Sequence, residues 1–165
     1  MSGWCLERDR ALLEGYTHPS RCIFQGRTLA RDPWTRLISS FRRKDPDLCQ
    51  LYRYRCHAEL EQLDLAAFIE VASWLDHPHL RPQRRFLLRA GADQLDPRLR
   101  IFQQEHLVDL EQWLSERLGS ALPLPHRNVN VPQTRLPELN PAQWQGLRQR
   151  VRELYAEDYA SFGYA

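Results

Sequence analysis

Apolar positions along the chain recur mostly at helical spacing, with a few short stretches that suit strands. Trp34, Leu37, Ile38 and Phe41 fall at i, i+3, i+4 and i+7, on one face of a helix. Asp32-Pro33 starts it, a capping carboxylate followed by a proline whose missing N–H is harmless in the first turn. Ahead of it, Ile23, Phe24, Thr28 and Leu29 suit a pleated, buried surface. Residues 22–44 therefore read as strand, then helix, with Arg31 at the handover.

The other elements follow from the same periodicity. A short helix over 6–15 carries Leu6, Leu12 and Leu13, stops at Gly15, and is followed by a turn at 17–20. Asp45-Pro46 restarts a helix on which Leu48, Leu51, Tyr52, Cys56, Leu60 and Leu63 recur at roughly helical intervals. Asp64 caps the next, with Leu65, Phe68, Ile69, Ala72 and Leu75 as its stripe. It ends near Asp76, because His77-Pro78-His79 and Arg81-Pro82 resist helix continuation.

Phe86-Leu87-Leu88 and residues 99–102 read as short strands. Leu107, Leu110, Leu114 and Leu118 mark a helix closed by Gly119. Residues 120–141 hold five of the eleven prolines and read as a long irregular connection. Asn140-Pro141 then caps a last helix that buries Trp144, Leu147, Val151, Leu154 and Tyr155. Short strands alternating with helices predict one α/β domain over 1–165.

Composition narrows the function classes. With 42% hydrophobic and 27% charged residues in 165, the chain suits one soluble core. No apolar run approaches a bilayer span, and residues 1–10 are too charged for a signal peptide, so the expected location is cytoplasmic. A net charge of +2 carries no nucleic-acid footprint. Lys44 is the only lysine among 23 basic residues, so anions would be held by planar guanidinium forks. Cys5, Cys22, Cys49 and Cys56 form neither a disulfide framework nor a CxxC pair and read as reduced core thiols.

The strand-to-helix handover is the best candidate site. Free N–H groups and the positive dipole end favour an anion at a helix start, and Arg31 adds a guanidinium. Ser39 lies eight residues on, about two turns into the helix. Arg36 reads as an i,i+4 ion-pair partner of Asp32. Arg81, Arg84, Arg85 and Arg89 read either as a solvated loop or as a recruiting patch for an acidic sugar chain.

Arg31-Asp32-Pro33, Arg36-Leu37, Ser39 and Phe41-Arg42 resemble the 3′-phosphate-binding segment of sulfotransferases, in particular the chondroitin and dermatan carbohydrate group. Further segments follow in order. His79-Leu80-Arg81-Pro82-Gln83 is similar to the family's His-x-x-Pro-Gln, and Arg100-Ile101-Phe102 with Glu105-His106-Leu107 to its strand followed by Glu-x-Leu. His126-Arg127-Asn128 matches the short Asn-containing segment before the last helix. The stretch from Tyr155 through Asp158-Tyr159 to Phe162-Gly163-Tyr164 resembles the closing motif.

The resemblance spans residues 22–164. It implies a P-loop-like sulfotransferase fold with an incomplete short parallel sheet and a helix-rich C-terminal half. The donor would be 3′-phosphoadenosine 5′-phosphosulfate (PAPS), and the partner a carbohydrate whose hydroxyl is sulfated, with no metal. Arg31 and Ser39 would bind the donor's 3′-phosphate, and His79 is the leading residue for the base.

Each motif also has a plainer reading. Tyr155, Phe162 and Tyr164 would dock the C-terminus on the core. Asp158 would hold a backbone amide or an arginine, and Glu105 would cap a helix or pair with Arg100. His79 has three readings: a structural or acceptor-site residue, a base, or half of a metal pair with His77.

The family's loop around the 5′-phosphosulfate, a basic residue followed by Gly and Ser or Thr, has no counterpart before Cys22. Neither a Walker-A loop nor a Rossmann fingerprint is present. Three explanations present themselves: Met1 internal to a longer reading frame, a degenerate enzyme, or a loop supplied by a partner. The alternative function is a non-catalytic anion- or nucleotide-binding or helical interaction module.

Overall fold

Two four-residue strands, β1 (Arg27–Ala30) and β2 (Arg100–Gln103), pair in parallel, with Arg27 opposite Arg100 and Ala30 opposite Gln103. The structure, a computed structural model, describes residues 27–121, 124 and 135–164. A parallel pair needs a long crossover, and here a run of helices provides it. These are α1 (Pro33–Arg43), α2 (Pro46–Cys56), α3 (Leu65–Trp74) and the single turn α4 (Arg84–Leu87). After β2 come α5 (Leu107–Leu118), α6 (Pro141–Leu154) and α7 (Ala156–Phe162). The result is a helix-rich mixed α/β arrangement with a short two-stranded parallel sheet. Among the described residues no helix is long and apolar enough to cross a membrane.

The predicted caps form. Asp32 and Asp64 accept from the Thr35 and Ala67 amides, and Asn140 makes a full capping box with Gln143. Gly119 closes α5 at a φ of 65°. The stripes converge as the periodicity predicts: α1 packs on α3 and α6, and α3 on α6. Trp34, Leu37, Phe41, Leu48, Phe68, Ile69, Val151 and Tyr155 join one core, with Trp34 edge-on to Trp144 at 6.0 Å. A smaller cluster of Ala30, Leu87 and Phe162 sits against the sheet.

Three expectations change. The strand over 86–88 is instead the helical turn α4. Pro82 and Gln83 carbonyls accept from the Arg85 and Phe86 amides, and Asp158 caps the Gln83 and Arg84 amides from afar. With those donors engaged, the segment is bent toward a helical turn rather than into a ladder. The helix expected to run on toward Leu63 stops at Cys56, where His57 turns left-handed at a φ of 52°. A 3₁₀ turn at Leu60–Gln62 resumes the pattern.

The last helix is two: α6 ends where Tyr155 takes a φ of −112°, and α7 begins afresh. Tyr155 is 1% exposed and its hydroxyl donates to Leu80 O at 2.5 Å, the anchor the sequence expected of it. The helix over 6–15, the turn at 17–20, Cys22, Ile23, Phe24 and His126-Arg127-Asn128 lie outside the described residues.

Phe68 is 0% exposed and packs edge-on against Phe41 at 5.4 Å. Phe68→Ala is expected to lower the unfolding free energy by about 3–5 kcal/mol. Tyr54, on the solvent face of α2, should tolerate Ala within about 0.5 kcal/mol. Urea midpoints measure both, and a Phe68→Ala loss as small as that of Tyr54→Ala would place α3 outside the core.

Candidate functional site

Arg31 sits between the end of β1 and the start of α1, as the sequence predicts. Its backbone is held on both sides by one side chain. Arg31 N–H donates to Gln83 Oε1 at 3.1 Å, and Gln83 Nε2 donates to Arg31 O at 2.6 Å. The next amide, Asp32 N–H, donates to Glu105 Oε1 at 3.1 Å, and Thr35 N–H goes to the Asp32 cap at 2.9 Å.

These contacts correct the backbone part of the expected anion seat. The amides at Arg31, Asp32 and Thr35 already serve internal acceptors. One of these, Glu105, is itself an anion placed at the positive end of α1. Glu105 thus caps, one of its two expected roles, and does not pair with Arg100, which lies over the Phe102 ring at 4.9 Å. The Tyr164 hydroxyl sits between Glu105 Oε2, 2.8 Å, and Ala30 O, 3.0 Å, and donates to one of them at a time. Burial, and then Glu105, raise the Tyr164 pKa, so it stays a donor.

The side-chain part of the seat remains available. Arg31 and Ser39 are half-buried, and neither the guanidinium nor the hydroxyl has a hydrogen bond or ion pair among the described residues. Ser39 lies one turn beyond Thr35 on the same flank of α1. Its neighbour Ser40 points elsewhere, 3.1 Å from Arg36 O and 3.3 Å from His79 O.

Arg36 does not pair with Asp32. Its guanidinium turns inward and donates to Pro78 O at 2.7 Å. Burial lowers its pKa first, Tyr155 and Asp158 pull it back up, and Arg31 lowers it again. Two guanidinium groups therefore share this side of α1, with the buried Asp158 carboxylate as the nearby counter-charge.

His79 lies at the other end of α1. Its Nε2 is 3.5 Å from Asp45 Oδ2, and its backbone N–H donates to His77 Nδ1 at 3.3 Å. Eleven helical residues place about 16 Å between the two ends, so the structure does not bring the His79 ring beside Arg31. His77 Nδ1 is occupied by the His79 amide, and among the described residues no three metal-ligating side chains gather.

Of the arginines offered to an acidic sugar, Arg81 forms a bidentate pair with Asp76 at 2.7 Å. Arg84 meets Glu157 at 3.2 Å and the Asp93 carbonyl, and Arg89 meets Asp96 at 2.6 Å. Three of the four are therefore neutralised locally.

Asp158 holds backbone amides and Glu105 caps, as the sequence suggests, but Gln83 is legible only as part of a motif, and the target that the three share around Arg31 is not. Their partners lie 52 to 75 residues away in the chain. The only signal was the recurrence of these residues in ordered segments around Arg31.

Burial of His77, and then the neighbouring His79, depress the His77 pKa, against the opposing pull of Asp45, Asp47 and Asp76. A depressed folded pKa means that the unfolded chain takes up the proton first. Stability is then complete above the ordinary value of 6.5 and falls as the pH drops through it. The slope is at most about 1.4 kcal/mol per pH unit for one proton. His77→Asn, which keeps an acceptor for the His79 amide, should shrink the stability difference between about pH 7.5 and 5.5 in urea titrations. An undiminished difference would exclude His77 as its source.

Comparison with protein-family models, curated proteins and solved structures finds no match to this chain.

Proposed function

We propose that the β1–α1 junction holds the 3′-phosphate of a 3′-phosphoadenosine nucleotide. In this reading the chain has a P-loop-like sulfotransferase fold and serves PAPS-dependent sulfation of a carbohydrate hydroxyl. One observation carries it: Arg31 lies just ahead of α1 and Ser39 about two turns into it, with the Arg31 backbone locked and both side-chain polar groups without a partner among the described residues. A guanidinium fork can donate two hydrogen bonds to two phosphate oxygens, and the serine hydroxyl a third.

The donor supplies an activated sulfuryl group. This chain contributes Arg31 and Ser39 at the 3′-phosphate and His79 as acceptor of the hydroxyl proton. Asp45 Oδ2, 3.5 Å from His79 Nε2, steers the imidazole. No described residue is assigned to the sulfate end of the donor.

The distance of His79 from Arg31 favours a second reading, in which the chain binds the nucleotide without catalysing transfer. The two differ in turnover: with PAPS and a chondroitin acceptor, the first gives a sulfated product and the second gives binding alone.

Calorimetry with 3′,5′-adenosine bisphosphate tests the seat. Wild-type protein should bind it more tightly than 5′-AMP, and Arg31→Ala should weaken binding about tenfold or more, the loss expected for a charge-assisted hydrogen-bond pair. Ser39→Ala should cost less. Absence of binding, or an Arg31→Ala protein that binds as wild type does, would remove the proposal.

A further inference from the structure

We infer that Gln83, fixed by Asp158, is the positioning residue that aims Arg31 at its anion; this rests on the phosphate-seat reading above. The Gln83 amide does what a neighbouring strand would do. It accepts from Arg31 N–H at 3.1 Å and donates to Arg31 C=O at 2.6 Å, so both polar groups of one residue are held by one side chain. The ladder between β1 and β2 ends at Ala30 opposite Gln103. The Gln83 clamp therefore extends order by the one residue that carries the guanidinium.

The amide orientation is fixed by its partners. Its oxygen faces a donor and its nitrogen faces an acceptor, so a flipped amide loses both bonds. Gln83 is held in turn through its backbone. Its N–H donates to Asp158 Oδ2 at 2.7 Å, and the Arg84 N–H donates to Asp158 Oδ1 at 2.8 Å. Asp158 is 0% exposed. A carboxylate bracketing two consecutive amides fixes both the position and the direction of the turn that presents the Gln83 side chain. Glu105 and Tyr164 brace the flanking Asp32 and Ala30. Only Gln83 grips Arg31 on both sides.

The guanidinium itself touches none of these groups by hydrogen bond, so Gln83 acts through the direction of the Arg31 backbone. Gln83→Met keeps the length of the side chain and removes both bonds. Gln83→Glu keeps the acceptor for Arg31 N–H and sets a carboxylate oxygen against Arg31 O.

The experiment has two arms on the full chain. In the first, amide hydrogen exchange is followed by NMR. Gln83→Met should speed exchange at Arg31 by about tenfold or more while leaving Phe68 and Ile69 in α3 protected as in wild type. In the second, calorimetry with 3′,5′-adenosine bisphosphate is run as a double-mutant cycle. Gln83→Met should weaken binding about tenfold on its own and change nothing in the Arg31→Ala background.

A role in stability alone would lower affinity equally in both backgrounds and would loosen α3 as well; that result overturns the inference. Unchanged exchange at Arg31 overturns it too, whatever the affinities. Loss of affinity in Gln83→Met together with wild-type affinity in Arg31→Ala overturns it while implicating another contact. If wild-type protein binds no bisphosphate, the phosphate-seat reading falls and takes this inference with it, even where the exchange arm behaves as expected.

Discussion

The Asp158 carboxylate is the contact on which the rest of the arrangement around Arg31 depends. Burying an ionised group is unfavourable unless its lone pairs are met. Here two consecutive amides meet them, with the Arg36 guanidinium nearby. Burial pushes the Asp158 carboxyl up, while the Arg84 and Gln83 amides and Arg36 draw it down. Through this group α7 is tied to the turn at 82–84, and through Gln83 that turn is tied to the end of β1. Tyr155 reinforces the tie a few residues earlier by donating to Leu80 O. The segments around Arg31, Leu80 and Asp158 are remote in sequence, yet they form one unit held by side-chain-to-backbone bonds.

For the proposed phosphate seat, the consequence is a change in what would face an anion. A bare helix start would offer N–H groups and dipole. In this chain Glu105 and the Asp32 side chain take that role, leaving a guanidinium and a hydroxyl. Such a pair is more selective than a row of amides, because a planar fork matches paired oxygens and rejects a spherical ion. The same contacts bring the Glu105 carboxylate close to the proposed seat. It is satisfied there by the Asp32 amide and Tyr164, so a bound phosphate would meet a carboxylate whose charge is already engaged.

How much of this could be read from the sequence follows from the range of the forces involved. Asp32, Asp64, Asn140 and Gly119 cap or close their helices through neighbours within a few residues, and the sequence displays those signals directly. The apolar stripe of α1 was legible for the same reason. Phe86 and Leu87 read as strand from their side chains alone, whereas the turn they belong to is capped at Gln83 and Arg84 by a carboxylate more than seventy residues away. Arg36 was assigned to Asp32 because periodicity sees only its own helix, whereas the acceptor it finds belongs to Pro78. Arg31 and Ser39 could be picked out as candidates by spacing and resemblance. That Gln83 holds the first of them could not, because a side-chain amide gripping a distant backbone leaves no periodic trace.

The short sheet explains why those grips are needed. In a wide parallel sheet a strand end is fixed by ladder bonds to neighbours on both sides. Among the described residues β1 has one ladder partner, β2, and the two pair over only four residues. Two-stranded pairing of that length does not hold a chain end by itself. The missing constraint is supplied by side chains: Tyr164 reaches Ala30 O, and Gln83 clamps Arg31. The placement of the Arg31 backbone therefore depends on helix-borne groups more than on the sheet, and disturbing α7 should loosen Arg31 before it disturbs the α1–α3–α6 core.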